Sequence, residues 1–236
     1  MQLIGKSEKQ AFLASLPLVL GAAPLGMIFG ALVVASGLPA WFAVMMSLVV
    51  FAGSAQFIVI GLMATGTPLF VILLTTFVVN LRHALYGVAL MPHLKSEPLW
   101  MRALLAFGLT DESFAVAAAK FEEENVSIKR YLGASIVFFY SSWVAFTYLG
   151  VVLGEQFPAL KDMGLEIAML VTFIGMTVPH MKKKPALLAI LITALSSLLF
   201  SALPYNLGLI FSTALGVSGG YLSSRYKRKA GVLAYE

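Results

Sequence analysis

The stretch AFLASLPLVLGAAPLGMIFGALVVAS, residues 11–36, decides the fold class. It contains no charged residue, and at a helical rise of about 1.5 Å per residue it is long enough to cross the ~30 Å hydrocarbon core of a bilayer. It exceeds the apolar part of a typical signal peptide, and several similar stretches follow it. We therefore expect it to be the first of several membrane-spanning helices.

The composition of the whole chain agrees with a membrane location. Of its 236 residues, 60% are hydrophobic and only 11% are charged, whereas about a quarter of the residues of a soluble domain are charged. The net charge of +5 comes mostly from short clusters between apolar blocks, which fits orientation in a lipid bilayer better than binding to nucleic acid. The chain has no cysteine, and no metal or phosphate motif is present. We expect neither a cofactor nor a bound metal.

Eight apolar blocks predict an all-α, polytopic transmembrane helical bundle of about eight spans. Helices are expected because a backbone in lipid must satisfy its own hydrogen bonds, and the strands of a barrel would alternate polar and apolar residues. We treat residues 1–236 as a single domain, with 1–129 and 130–236 as candidate halves. The blocks are residues 11–36, 39–63, 67–91, 99–120, 131–154, 163–181, 185–203 and 204–223.

Basic clusters predict the orientation of the spans. Lys6 and Lys9 precede the first block, three lysines at 182–184 separate the sixth block from the seventh, and residues 225–229 carry four more cations. The positive-inside rule places all three clusters, and so both termini, in the cytoplasm. Even numbers of crossings must then separate them.

The fourth block is the weakest predicted span. Asp111 and Glu112 interrupt it, and with it counted as a span Lys95 and Arg102 would lie on the outer side. Without it, however, five crossings would precede the lysine triplet, which the positive-inside rule does not allow.

The first block contains Pro17 and Pro24, with Gly21 between them. Each proline removes a helical N–H. One interpretation is a broken helix whose free amides hold an anion such as a carboxylate, which would make Gly21 and Pro24 substrate-binding residues. The alternative is a proline kink packed against neighbouring helices.

The second block contains the sequence FAGSAQF at residues 51–57. Its run of small residues allows another backbone or a ligand to approach closely, and Gln56 offers a hydrogen-bond donor and an acceptor. We consider Gly53, Ser54 and Gln56 to be candidate substrate-binding residues. Tight helix packing, held by the same polar side chains, is the alternative.

Ionisable residues near the end of the third block are costly in lipid and tend to mark function. On a helix, Asn80 and His83 share one face, whereas Arg82 and Tyr86 share another. An imidazole can exchange a proton near neutral pH. We therefore assign Asn80 and Tyr86 to substrate binding and Arg82 and His83 to proton coupling; an interfacial cluster without a transport role is the alternative.

The fourth block places Asp111 and Glu112 next to each other within an apolar run. Such carboxylates are difficult to explain as lipid-facing, and we expect one of them to pair with Arg82. Both are candidates for proton coupling. A salt bridge with only a structural role is the alternative.

Three motifs resemble the AzlC family, the large subunit of bacterial branched-chain amino-acid exporters. They are FAGSAQF at 51–57, NLRHALYG at 80–87 and LTDESFA at 109–115; the opening span is also similar. The resemblance implies export of small hydrophobic amino acids such as leucine or methionine, a location in the bacterial inner membrane, and a partner: a small membrane subunit of the AzlD type. Coupling to protons is our expectation from the ionisable residues.

Two other functions compete with transport. The pattern Gly216-Val217-Ser218-Gly219 matches the GxSG signature of rhomboid-type serine proteases, but no later helix supplies the base that a serine nucleophile needs. We therefore expect no enzymatic activity. A passive channel or a non-transporting scaffold is the other alternative.

Overall fold

The computed structural model describes residues 5–121, 127–157, 178–203 and 207–229, together with the single positions 167 and 174. Over these residues the chain is helical and contains no β-strand, which confirms the all-α prediction there. The elements in chain order are α1 (Lys6–Ala35), α2 (Ala40–Val49), α3 (Gly53–Ala64), α4 (Leu69–Leu94), α5 (Leu99–Phe107), α6 (Asp111–Ala118), α7 (Ile128–Gln156), a 3₁₀ helix (Val178–Lys182), α8 (Lys184–Leu199) and α9 (Leu207–Lys229).

Four stretches within these helices are long and apolar enough to cross a membrane: Ser7–Ala35, Leu69–Leu94, Ile128–Gln156 and Leu207–Tyr226. The helices α2, α3 and α8 are apolar but shorter. The number of eight spans is therefore not confirmed. Most of the predicted sixth block, residues 163–181, lies outside the described residues.

The chain forms two compact units. The first comprises Met1–Gly61 and Val78–Ala168, and the second comprises Leu62–Phe77 and Met169–Glu236. The candidate sequence halves, 1–129 and 130–236, stay a prediction.

The first unit is built on α1 and α7, which run parallel to each other. Near their starts, the hydroxyl groups of Ser15 and Ser135 lie 2.9 Å apart. Near their ends, a Cβ added at Gly154 would lie 3.1 Å from the Cα of Ala31. Contacts therefore advance in the same direction along both helices.

Glycines allow the backbones of α1 and α7 to touch. A side chain at Gly30 would collide with the carbonyl oxygen of Thr147, and one at Gly150 would collide with that of Met27. Each helix carries a GxxxG pair here, at 26–30 and 150–154, the spacing typical of close helix contacts in membranes.

Of the two interpretations of the first block, the broken helix is wrong, because α1 is one continuous helix with Pro17 and Pro24 inside it. A proline removes only one N–H, and helices in membranes tolerate this loss when neighbouring groups compensate. The chain breaks instead inside the second and fourth blocks, between α2 and α3 and between α5 and α6.

The helices α2 and α3 form a hairpin, which we call hairpin A (residues 40–61). The Nε2 of Gln56 donates to the Oγ of Ser47 over 3.0 Å. In a straight helix nine residues rise about 13.5 Å, which is farther than a serine and a glutamine side chain reach together. Ser47 also lies 2.9 Å from Thr147 of α7, and Phe57 contacts Phe29 of α1. Hairpin A therefore enters the first unit from the end where α1 and α7 finish.

The helices α5 and α6 form a second hairpin, hairpin B (residues 99–118). Just before it, Glu97 pairs with Lys129 of α7 at 2.8 Å; just after it, the ring of Phe121 stacks on His93 of α4 with centroids 4.3 Å apart. A continuous helix over residues 99–118 would separate its ends by about 30 Å. Both ends therefore lie beside the end of α4 and the start of α7, opposite to the entry of hairpin A.

The described core of the second unit is the antiparallel pair α8 and α9. A side chain at Gly208 would collide with the carbonyl of Phe200, and one at Gly216 would collide with Thr193. Farther along, a Cβ at Gly220 would come within 3.0 Å of the Pro185 carbonyl. Glycines near Ser218 thus have a packing role, and Ser218 itself is exposed.

Candidate functional site

The tips of the two hairpins meet at Arg82 of α4. We define the tip of hairpin A as residues 50–54 and the tip of hairpin B as residues 108–111. The Nη1 of Arg82 donates to the Oδ2 of Asp111 over 2.5 Å, and its Nη2 donates to the Oγ of Ser54 over 2.6 Å. One guanidinium therefore joins both tips, and the predicted pairing of Arg82 with an acid is confirmed for Asp111.

Tyr86 completes the cluster one turn farther along α4. Its hydroxyl donates to the other carboxylate oxygen of Asp111, Oδ1, over 2.9 Å. Its ring stacks on Phe114 of α6, with centroids 4.5 Å apart and planes tilted by 16°. Both oxygens of Asp111 are thus held, one by a cation and one by a phenol. We call Ser54, Arg82, Tyr86 and Asp111 the tip cluster.

The tip of hairpin B is fixed by a capping box. The side chain of Thr110 accepts from the N–H of Ser113, and the Oγ of Ser113 accepts from the N–H of Thr110 over 2.8 Å. Asp111 and Glu112 lie in the first turn of α6, where negative charge is favourable beside the helix N-terminus. A side chain at Gly108 would collide with Ile136 of α7, so this glycine lets the tip approach α7 closely.

The tip of hairpin A contains a strained residue. Phe51 has a φ of 40°, in the left-handed region that bulky residues avoid at a cost of about 1–2 kcal/mol. Packing offsets this cost: Phe51 is buried and its ring contacts Tyr140 of α7 edge-on, with centroids 5.0 Å apart. This local turn reverses the chain between α2 and α3.

Gln56 lies in a separate network, in which Gln56, Ser47 and Thr147 are fully buried. Its Oε1 accepts from the indole N–H of Trp143 over 2.9 Å, while its Nε2 donates to Ser47, which contacts Thr147. These bonds hold hairpin A against α7. Beside them, a Cβ at Gly53 would come within 3.0 Å of the Trp143 ring, so Gly53 also lies in a tight helix contact.

The remaining predicted residues surround the cluster or lie away from it. His83 is partly exposed and contacts Tyr86 edge-on, with centroids 6.0 Å apart. Glu112 is half-buried. The Oδ1 of Asn80 and the Nε of Arg82 are buried and have no hydrogen-bond partner in the described structure. Gly21 and Pro24 are exposed on α1, and no hydrogen bond described in the structure joins them to the cluster.

The cluster offers charges of both signs within a few ångströms. The guanidinium can bind a carboxylate, and the carboxylate of Asp111 can bind an ammonium group or a proton. Among the described residues, no group of histidines and acids could hold a metal ion. The chemistry that these side chains can supply is charge-assisted hydrogen bonding to groups of either sign.

A protein-family model described as "AzlC protein" matches residues 17–157. The chain belongs to the AzlC family. The matched region contains α1 from residue 17 onward, both hairpins, α4, α7 and the entire tip cluster. In this AzlC-family chain the tip cluster therefore lies wholly within the part that carries the family's sequence pattern.

Curated relatives agree with this assignment. An uncharacterized membrane protein of Helicobacter pylori (strain ATCC 700392 / 26695) is 30% identical over 199 residues, which cover 83% of this chain and 86% of the relative. The inner membrane protein YgaZ of Escherichia coli K12 is 31% identical, covering 80% of each. The branched-chain amino acid transport protein AzlC of Bacillus subtilis 168 is 26% identical, covering 75% of this chain and 68% of the relative. No solved structure matches the chain significantly.

Sequence reasoning missed two groups of residues. It did not identify the packing of Phe114 on Tyr86, which no spacing rule predicts. It also missed the helix stop and start at Gly108 and Thr110-x-x-Ser113, although a glycine followed by a capping box is a recognised boundary signal.

Proposed function

We propose that this AzlC-family chain is the large subunit of a membrane transporter that exports branched-chain or other hydrophobic amino acids. The observation that carries the proposal is the position of Arg82, whose guanidinium bonds to the tips of both hairpins. The name of the Bacillus subtilis relative, a branched-chain amino acid transport protein, supports the substrate class.

The substrate carboxylate would bind to Arg82. Ser54 and Asp111 occupy the two terminal nitrogens of its guanidinium, but the buried Nε has no partner. A carboxylate accepting from Arg82 would satisfy this donor by a charge-assisted hydrogen bond. We confine the proposed contacts of the substrate to Ser54, Arg82, Tyr86 and Asp111. Gln56 and Gly53 serve instead to pack hairpin A.

Proton coupling would follow from competition for Asp111. The ammonium group of the amino acid and a proton would bind to the same carboxylate, so that protonation of Asp111 would release the substrate. Such mutual exclusion is what an exporter driven by inward proton flow requires. His83, next to Tyr86, and Glu112, next to Asp111 in the same helical turn, are the proposed carriers that bring the proton to Asp111.

The proposed setting is the inner membrane of a bacterium, with both termini in the cytoplasm. The Escherichia coli relative is named an inner membrane protein. From the family resemblance, we also propose that a small AzlD-type membrane subunit completes the transporter. A passive channel is the alternative function, and it would not accumulate solute against a gradient.

Transport by purified protein in proteoliposomes tests the proposal. With and without the small subunit, labelled leucine, isoleucine, valine, methionine and, as controls, glutamate and lysine are offered at several pH values. We expect the aliphatic amino acids to accumulate when a pH gradient is applied, and a protonophore to abolish accumulation. Equilibration without accumulation would favour a channel. Normal proton-driven transport by both Asp111→Asn and Glu112→Gln would exclude these acids as proton carriers.

A further inference from the structure

The two hairpins place a constraint on how the chain crosses the membrane. Within the first unit, α1 and α7 run parallel, and α4 ends beside the start of α7. Hairpin A returns to the end of the unit where α1 finishes, and hairpin B returns to the end where α4 finishes. Three complete crossings, α1, α4 and α7, account for this arrangement without any crossing by the hairpins.

We propose that hairpins A and B are re-entrant segments that enter the membrane from opposite faces and return to the face they came from. Within residues 11–154 the chain then crosses three times, where the apolar blocks predict five crossings. The tips of the two segments meet at Arg82, so that each hairpin closes the path to the tip cluster from one face of the membrane.

The depth of the tips fits this arrangement. Gly108, in the tip of hairpin B, contacts Ile136, and Phe51, in the tip of hairpin A, contacts Tyr140. At about 1.5 Å per residue, these α7 positions lie roughly 12 Å and 18 Å from the start of α7 at Ile128. Both tips therefore end inside the length of α7, whose 29 residues extend about 44 Å at this rise and can cross the bilayer.

The distribution of basic residues also favours this arrangement. Lys95 and Arg102 then lie on the same side of the membrane as Lys129 and Arg130. Apart from Arg82 in the tip cluster, all lysines and arginines within residues 6–130 lie on this one side, which the positive-inside rule identifies as the cytoplasmic side. Five crossings over the same part of the chain would instead place Lys95 and Arg102 on the outer side.

Matching residues at a constant spacing in the two hairpins provide independent support. Both hairpins begin after an N-capping proline, Pro39 or Pro98. The residues Pro39, Trp41 and Ser54 recur as Pro98, Trp100 and Ser113, each 59 positions later (98 minus 39, 100 minus 41, 113 minus 54). Each repeat would consist of one crossing helix and one re-entrant hairpin. Since the first repeat contains one crossing, the second repeat would begin on the opposite face of the membrane. The two repeats would therefore have inverted orientations, as in transporters built from inverted repeats.

Three exposed serines test the topology directly. Ser36 follows α1, Ser96 lies between α4 and hairpin B, and Ser127 precedes α7. The chain has no cysteine, so Ser36→Cys, Ser96→Cys and Ser127→Cys each introduce a single thiol. Each full-length variant is labelled with a membrane-impermeant maleimide in right-side-out and in inverted vesicles. Unsubstituted protein and labelling after solubilisation serve as controls, and Pro39→Cys and Lys95→Cys are second reporters for the first two loops.

Each pattern of labelling has a defined meaning. The proposal requires Cys at 36 to react from one face and Cys at 96 and 127 to react from the other. If 36 and 96 share a face and 127 does not, both hairpins cross and the proposal is wrong. If all three positions share a face, only hairpin A crosses. If position 96 alone lies on the other face, only hairpin B crosses. Either result overturns the proposal. Labelling requires no transport, so its outcome is independent of the amino-acid assignment.

Discussion

Breaking the bond between Arg82 and Asp111 should destabilise the first unit more than breaking an exposed ion pair. The bond is 2.5 Å long, and the two side chains are only 26% and 31% exposed. Removing one member of a buried pair costs about 3–5 kcal/mol, whereas an exposed pair contributes about 0–1 kcal/mol. Partial burial places Asp111→Asn between these limits, and we expect a loss of about 2–3 kcal/mol because the asparagine also weakens the bond from Tyr86.

A double-mutant cycle measures this coupling. The free energy of unfolding is determined for Arg82→Gln, Asp111→Asn and the double variant by titration with a denaturing detergent. We expect the double variant to lose less stability than the sum of the single losses, with a coupling energy of about 1.5 kcal/mol or more. Glu97→Gln and Lys129→Gln form a second cycle for comparison, on a 2.8 Å pair outside the tip cluster whose lysine is 40% exposed and whose glutamate is 20% exposed. Additive losses at Arg82 and Asp111 would refute the reasoning.

Three further predictions concern helix packing and the protease alternative. Gly30→Leu should lower the free energy of unfolding by about 3 kcal/mol or more, because its side chain would meet the Thr147 carbonyl. Gly21→Leu is the control and should unfold like the unsubstituted protein, because a Cβ there meets nothing within 4 Å. Equal losses of stability in the two variants would contradict the close packing of α1 on α7. Gln56→Leu should lower the free energy of unfolding by about 2–4 kcal/mol, because Trp143 and Ser47 lose a buried hydrogen-bond partner. Gln156→Leu, at the exposed end of α7, is the control. Equal stabilities of the two variants would disprove the role of the network. Ser218→Ala should leave amino-acid transport unchanged, and loss of transport in a folded variant would show that Ser218 has a role we do not assign.

The helical class and most helix boundaries could be predicted from the sequence, because a segment in lipid must be apolar and must satisfy its own backbone hydrogen bonds. The reversal inside hairpins A and B could not be predicted in this way. Residues 99–118 have the length of one membrane-spanning helix, and two half-helices of the same composition give the same apolar block. The distinction depends on which residues they contact, such as Glu97 with Lys129 and Phe121 with His93.

The candidate site, too, could be predicted from the sequence only in part. The pairing of Arg82 with an acid followed from the cost of an unpaired charge in lipid, and the structure identifies Asp111 as the partner. In the sequence, Gln56 is a candidate for substrate binding because its amide offers a donor and an acceptor. In the structure, Trp143 and Ser47 bond to this amide. Trp143 lies 87 positions from Gln56, so the two could not be paired from one sequence. Likewise, Pro17 and Pro24 signal a weakened helix, but only the packing of α1 decides whether it breaks.

Binding of leucine to an arginine variant tests the central claim most directly. Equilibrium binding of radiolabelled leucine is measured for the unsubstituted chain, for Arg82→Gln and for Arg102→Gln. Arg102 is the control because it lies outside the tip cluster. Its one described hydrogen bond is a 3.8 Å contact with the sulfur of Met91. If the guanidinium between the hairpin tips holds the amino-acid carboxylate, specific binding disappears in Arg82→Gln and persists in Arg102→Gln. Leucine binding of unchanged affinity by folded Arg82→Gln would contradict the account.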